Sequence, residues 1–496
     1  MVFGTFCILI QFVHGIFCSF IHQILGTFCR YALIVQERCY VVIERKIYQT
    51  LLEWKNREHK CLVVTGQRQV GKTFIIETFA KAEYEHYIYM NFDESPEMKD
   101  LFEGDTTATE MIKKLTLRFG ADSIVDGSTL LFLDEILECE RAYSSLKQFS
   151  IYGKIDVIAA SSSMEVNTPR NERDEGEQEP LVPLGYQETL VMHPVDFEEF
   201  LWAMKIPKDS IDEIRSCVRD RKPIEKVLFD RITKLFREYA IVGGMPEAVE
   251  AYVSTNDFRP AFAVLKNIDA TCERDIDRYD KGNRTAECLE SIPYQLAESN
   301  KKFMYSRIKG GKSRRSSDRY MENLLWIKNA GYGVFCYGLK QPALPLKKYV
   351  IRDSFKVYMS DTGMLLNSYG DKARMAVYQG DSSYNMGAVA ENIVVSEMSK
   401  GGLEPMYYRK DKGDGRMELD FVLEFWDGVA VIEVKSGKDR SAPSLKKVKT
   451  LFDVARRIML EDGNIRVDED GIEHYPMFAC AFMREMDRPS EGPRFS

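Results

Sequence analysis

Cys61-Leu-Val-Val-Thr65, followed by Gly66-Gln-Arg-Gln-Val-Gly71-Lys72-Thr73, decides the reading of this chain. The first five residues predict a short buried strand. The turn after them has the spacing GxxxxGK[ST] and leads into a helix predicted over 72–81. Each residue type has a physical task. The two glycines let the backbone N–H groups of Gly66, Gln67, Arg68, Gln69, Val70 and Gly71 turn inward around an anion. The helix N-terminus adds its positive dipole end. Lys72 brings a point charge to the β- and γ-phosphates of a nucleotide, and Thr73 brings a hydroxyl to magnesium. The expected ligands are ATP and Mg2+.

A second stretch, Leu130-Leu-Phe-Leu-Asp134-Glu135, reads as a buried strand that delivers two acids at its carboxyl end, where ligands bind in parallel sheets. Asp134 is expected to hold magnesium through water. Glu135 is expected to orient and deprotonate the attacking water, which makes Glu135 and Lys72 the catalytic pair. The adjacent acids point to a hydrolysing ATPase rather than a kinase. Further strands are predicted at 86–92, 156–160 and 188–192, with helices between them. That alternation predicts an α/β fold built on a parallel sheet covered on both faces. Ser161, Ser162 and Ser163 follow the 156–160 strand, and two readings stand open for them: a γ-phosphate sensor (Ser161 or Ser162) or a local turn. Arg68 and Arg141 read as exposed, so no arginine finger is identified.

Outward from this core, the 496 residues call for about three domains. Hydrophobic content of 45% with 29% charged residues is a folding composition, and the net charge of -8 excludes a wholly basic nucleic-acid-coating protein. The eleven cysteines form no CxxC pair or zinc-spaced cluster, as expected for free thiols in a reducing cytoplasm. Residues 2–29 carry no charged side chain, and Gly-Thr/Ile-Phe-Cys recurs at Gly4, Gly15 and Gly26. The expectation is a hydrophobic extension over 1–40 that arises from a start placed too far upstream. A membrane anchor is the alternative if 2–29 is genuinely translated. The chain is expected to divide into an extension at 1–40 and a globular part beginning near Val41, which comprises the P-loop core at 41–200, a helical subdomain at 201–285, a winged-helix-like segment at 286–370 with a two-stranded wing, and a small α/β domain at 385–485. Within the last, strands are predicted at 405–409, 417–425 and 428–434 and a helix at 442–457. The acidic run 171–179 reads as an exposed linker.

Six stretches together resemble the prokaryotic AAA-type ATPases that carry a C-terminal domain of unknown function, DUF4143. They are Gly66 to Thr73, Phe132-Leu-Asp-Glu-Ile136, Pro194-Val-Asp-Phe-Glu-Glu-Phe-Leu201, Val242-Gly-Gly-Met-Pro-Glu247, Phe355-Lys-Val-Tyr-Met-Ser-Asp361 with Gly363, and Glu433-Val-Lys-Ser-Gly437. The resemblance implies an ATPase core, a winged-helix segment and a restriction-endonuclease-like C-terminal domain. AAA-type sites often need a neighbour's arginine, which leaves a homo-oligomer open as a partner; the sequence shows no obvious such arginine and does not reveal the oligomeric state. Leu137 stands where relatives tend to have Gln.

Asp420 followed by Glu433-Val-Lys435 has the D…ExK layout of PD-(D/E)xK nucleases, with Glu391 as a third candidate ligand. Two acids on adjacent strands would hold a second divalent metal, and Lys435 would activate water. The alternative is that Glu433 and Lys435 simply pair. Residues 300–320 hold eight basic side chains (Lys301, Lys302, Arg307, Lys309, Lys312, Arg314, Arg315, Arg319) and one acid, a candidate DNA-phosphate surface or a solvated face. Two functions follow: nucleotide state coupled to nucleic-acid binding or processing, or an ATP-dependent switch whose later domains bind a protein partner without cleavage.

Overall fold

A computed structural model describes residues 43–162, 185–280, 282–308, 316–381, 386–413, 416–437 and 441–487. The readings made for residues 2–29, Ser163, 171–179, Lys309, Lys312, Arg314 and Arg315 lie outside the described residues, as does the side chain of Arg319.

The first layer alternates helices and strands: α1 (Lys46–Lys55), β1 (Cys61–Thr65), α2 (Lys72–Glu83), β2 (His86–Asn91), α3 (Ala108–Phe119), β3 (Thr129–Asp134), α4 (Glu140–Tyr152), β4 (Asp156–Ser161) and β5 (Gln187–Val191). All five strands pair in parallel, in the order β2-β3-β4-β1-β5. Every residue of β1 and of β3 is buried, which is why both read as unbroken apolar runs: helices cover both faces. β4 lies between the P-loop strand and the acid strand, and the carboxyl ends of all three open on one edge.

Seven helices follow: α5 (Phe197–Ala203), α6 (Lys208–Asp220), α7 (Lys226–Val242), α8 (Pro246–Thr255), α9 (Phe258–Tyr279), α10 (Arg284–Ala297) and α11 (Ser316–Asn329). The Pro194–Leu201 stretch is explained at its helix start. Asp196 accepts from the Glu199 N–H at 2.9 Å, while the Glu199 carboxylate accepts from the Asp196 N–H at 3.1 Å, a reciprocal cap of α5.

The remainder contains β6 (Gly333–Leu339), β7 (Val350–Met359), α12 (Thr362–Tyr369), α13 (Asp371–Gln379), α14 (Met386–Lys400), β8 (Met406–Lys410), β9 (Met417–Phe425), β10 (Gly428–Val434), α15 (Pro443–Leu451), β11 (Arg456–Glu461), β12 (Arg466–Val467) and β13 (Glu473–Pro476). These strands build one mixed sheet in the order β12-β13-β11-β10-β9-β8-β6-β7. Two expectations change here. The hairpin read as a wing exists as β6 and β7, but β6 also pairs in parallel with β8, so the hairpin forms the edge of the C-terminal sheet. The helix predicted over 442–457 stops at Leu451, and Arg456–Glu461 is a fully buried strand between β10 and β13. Its two leading arginines disguise it. Arg456 is neutralised in the interior by Glu473, with Nε to Oε1 at 3.1 Å.

Two of the resemblance motifs lock these layers together. Gly243 has φ of +75°, and a Cβ there would fall 2.3 Å from Asp361 Oδ1; a Cβ on Gly363 would fall 2.6 Å from the Val242 carbonyl. Asp361 accepts from the Gly244 N–H and, at 3.0 Å, from the Met364 N–H that begins α12. Both glycines therefore serve backbone-to-backbone contact, not chemistry. One continuous apolar core runs from Ile47, Val64 and Phe79 through Phe236, Tyr239 and Leu365 to Ile458 and Phe478.

Candidate functional site

The cleft lies where β1, β3 and β4 end. Gly66 has φ of +150° and sits so close to β5 that a Cβ would fall 2.2 Å from the Met192 carbonyl; Gly71, with φ of +92°, starts α2. The loop between them folds over Lys72. The buried ammonium donates to the carbonyls of Gly66 (2.8 Å) and Gln67 (3.1 Å). Burial pushes Lys72 down to about 8, with the carboxylates of Glu135 and Asp134 opposing that shift. A phosphate anion in the loop would restore the full charge. Nucleotide binding is therefore expected to take up about one proton at about pH 9 and close to none at about pH 7. Affinity should accordingly weaken as pH rises through about 8, by up to about tenfold per unit. Calorimetric titration in buffers of different ionisation enthalpy measures the uptake; equal uptake at both pH values would contradict it.

Thr73 donates to Asp134 Oδ2 at 2.7 Å, and the Tyr89 hydroxyl donates to the same oxygen at 3.2 Å. Burial raises Asp134 above the ordinary carboxylate range, the Thr73 hydrogen bond partly offsetting it. A hydroxyl and a carboxylate side by side are the oxygen donors that suit Mg2+, which keeps most of its waters. Glu135 follows in the left-handed region, with φ of +48°, a conformation that costs a non-glycine residue on the order of 1–3 kcal/mol. The turn points its carboxylate across to β4, where Ser162 donates to both oxygens at 2.8 and 3.0 Å. The serine shown to touch Glu135 is Ser162; Ser161 is a buried strand residue paired in register with Thr65.

Arg68 differs from its expected exposure. It is half-buried, and its Nε lies 3.1 Å from Asp275 Oδ2 on α9. Arg141, by contrast, is exposed and pairs with Glu103 at 2.9 Å. Leu137 packs against the apolar cluster under β3. The residues that sequence reasoning missed are Tyr89, Asp275 and Ser360, whose hydroxyl donates to Gln67 Oε1 at 3.2 Å. Only Tyr89 left a signal: it is an inward position near the carboxyl end of a predicted strand.

In the C-terminal sheet, Asp420 and Glu391 come together. Asp420 accepts from the Val434 N–H at 2.9 Å, beside an irregularity in the β8–β9 pairing. The Glu391 carboxylate takes the Lys301 ammonium on one oxygen and the Tyr358 hydroxyl on the other at 2.8 Å. Lys356, fully buried inside β7, stands 3.8 Å from Glu391 and 3.2 Å from Glu418. Burial, followed by the charge of Glu391, pushes Asp420 up to about 7. Burial alone would lower Lys356, but the carboxylates of Glu391, Glu418 and Asp420 outweigh it and raise it. Glu433 pairs with Lys435 at 2.7 Å. Among the described residues no group of three metal-ligating side chains is assembled. Lys301, counted above in a DNA-facing patch, is thus an internal counter-ion, and Arg307 lies 4.0 Å from Glu298. Among the described residues, no helix is long and apolar enough to cross a membrane.

Comparison with known proteins places this geometry. Residues 58–201 match an AAA domain, 233–373 match a domain of unknown function, DUF8612, and 386–479 match the domain of unknown function DUF4143. The chain thus carries an AAA domain and a C-terminal DUF4143 domain, and the AAA match supports ATP binding and hydrolysis. The DUF8612 match spans both the helical segment and the β6–β7 hairpin. No curated protein matches the chain. Among solved structures, a Walker-type ATPase of Pyrococcus abyssi is 12% identical, with 66% of this chain and 96% of that chain covered and a TM-score of 0.40. AMPPCP-bound DnaA from Aquifex aeolicus is 13% identical over 54% of this chain and 74% of its own, with a TM-score of 0.24. PCH-2 of C. elegans is 11% identical over 46% and 68%, with a TM-score of 0.23. At such scores these likenesses assign nothing to the present chain.

Proposed function

We propose that this protein is an ATP-hydrolysing switch whose nucleotide state is passed from the P-loop to the C-terminal sheet, where a partner docks without being cleaved. In the hydrolytic step the water oxygen bonds to the γ-phosphorus and its proton passes to Glu135. The bond to the β–γ bridging oxygen breaks, leaving ADP and phosphate. The residues that would hold Mg2+ are Thr73 and, through water, Asp134, and the bound ion would supply charge neutralisation at the phosphates. Lys72 orients the β- and γ-phosphates, and Ser162 keeps Glu135 aimed at the water.

The observation that carries the switch reading is the contact set of the P-loop itself. Gln67 meets Ser360 of the C-terminal half, Gly331 stacks on the Gln67 backbone, and Arg68 meets Asp275. A phosphate entering the loop must draw Lys72 off the Gly66 and Gln67 carbonyls. The loop therefore changes at the residues that touch the later layers. Lysine pairing of Glu391, by Lys301 and Lys356, supports docking over metal-dependent cleavage at that sheet. The test is ATP turnover with and without duplex and single-stranded DNA, using Glu135→Gln as control. Turnover that the control removes and DNA leaves unchanged is expected. Stimulation by DNA with cleavage that Asp420→Asn abolishes would replace this reading with the nuclease one.

A further inference from the structure

Arg68 sits inside the phosphate loop yet is held away from solvent by a residue on α9. Its guanidinium meets Asp275 at 3.1 Å, with Arg68 about one-third exposed and Asp275 less so. The neighbouring Gln69 is left-handed, with φ of +65°, so the loop is bent sharply beside the ion pair. Two other groups feel the same guanidinium. Lys72 lies four residues on in the same loop, and the Glu135 carboxylate raises Arg68 against burial. Arg68 therefore stands within the electrostatic reach of the two groups that would flank a γ-phosphate, Lys72 on one side and Glu135 on the other. A second cation beside those groups, carrying a planar fork of donors, suits the equatorial oxygens of a phosphoryl group in transfer.

We infer that Arg68 is a catalytic arginine supplied in cis by the P-loop, parked on Asp275 until a γ-phosphate draws it in. This rests on the hydrolysis reading above. As the water oxygen bonds to the γ-phosphorus and the bond to the bridging oxygen breaks, with the electron pair staying on ADP, Arg68 neutralises charge on the γ-oxygens. Asp275 is a positioning residue: releasing Arg68 removes this ion pair from α9, which couples phosphate occupancy to that helix.

The experiment measures the affinity of the full chain for Mg·ADP with aluminium fluoride, for Mg·ADP alone, and the steady-state kcat. Arg68→Ala is expected to weaken aluminium fluoride trapping by about 100-fold or more and lower kcat by about 10³-fold, with ADP affinity nearly unchanged. Arg68→Lys should not restore trapping, because an ammonium lacks the fork. Asp275→Asn should raise basal kcat several-fold by freeing the arginine. Wild-type-like trapping by Arg68→Ala, equal loss of ADP and aluminium fluoride affinity, or a wild-type chain that does not trap would each overturn the assignment. A lowered kcat in Asp275→Asn would overturn the parking. Hydrolysis that survives Glu135→Gln would instead sink the general-base reading, and trapping would still decide for or against Arg68.

Discussion

Glu135→Gln is expected to lower kcat for ATP hydrolysis by about 10²–10⁴-fold while leaving nucleotide affinity nearly intact. The substitution isolates the chemistry because it disturbs little else. Gln has the same shape, its amide oxygen still accepts from Ser162, and it meets the left-handed backbone at φ of +48° as Glu does. What it lacks is a carboxylate able to take the proton of the attacking water. Lys72, Thr73 and the loop N–H groups are untouched, so binding is retained. Steady-state turnover beside a fluorescent-nucleotide titration checks both halves. Unchanged turnover, or equal losses in binding and turnover, would sink the assignment of Glu135 as the base.

Lys356→Met is expected to destabilise the protein by about 3–5 kcal/mol, because it removes the central partner of a buried carboxylate cluster. Lys356 is 1% exposed and stands between Glu418 and Glu391, with its ammonium 4.9 Å from the Tyr407 ring centroid. Methionine fills much of the same volume, so the loss is electrostatic rather than a cavity. Adding Glu391→Gln should recover a large part of it, a coupling that thermal or denaturant melts of the single and double variants would measure. A wild-type melting temperature for Lys356→Met would show that the cluster does not depend on the lysine. Recovery of that variant by added Mn2+ would return a metal to Glu391 and Asp420.

The cleft was largely legible because its parts are local. Gly66 to Thr73 and Asp134-Glu135 are contiguous, and each names its own chemistry through spacing and the strand before it. The five core strands could be read from apolar runs. What failed to read shares one cause: the partner lies far along the chain. Gln67 and Ser360 are 293 residues apart, and Glu391 and Lys301 are 90 apart. The exposed-arginine reading of Arg68 failed because Asp275 is on a helix with no motif of its own. Lys301, the first of the basic run, turns inward to Glu391, which a charge count cannot show because it carries no direction. Besides Tyr89, a further signal was present and unused: Lys356 is a lone charge inside Phe355-Lys-Val-Tyr-Met359, and a charge in an otherwise apolar strand needs a buried partner.

The sequence by itself determined the α/β P-loop core, the acid pair, the glycine turns and most strand positions, since periodicity and backbone conformation are set by near neighbours. Only the tertiary structure decided that β4 separates the P-loop strand from the acid strand. It alone decided that β6 and β7 join the C-terminal sheet rather than stand as a wing, and that Lys301 and Lys356 pair with Glu391. Strand order and charge pairing are long-range choices. They are fixed by which apolar faces must be buried together and by which buried charges must then find an opposite, and neither can be read one segment at a time.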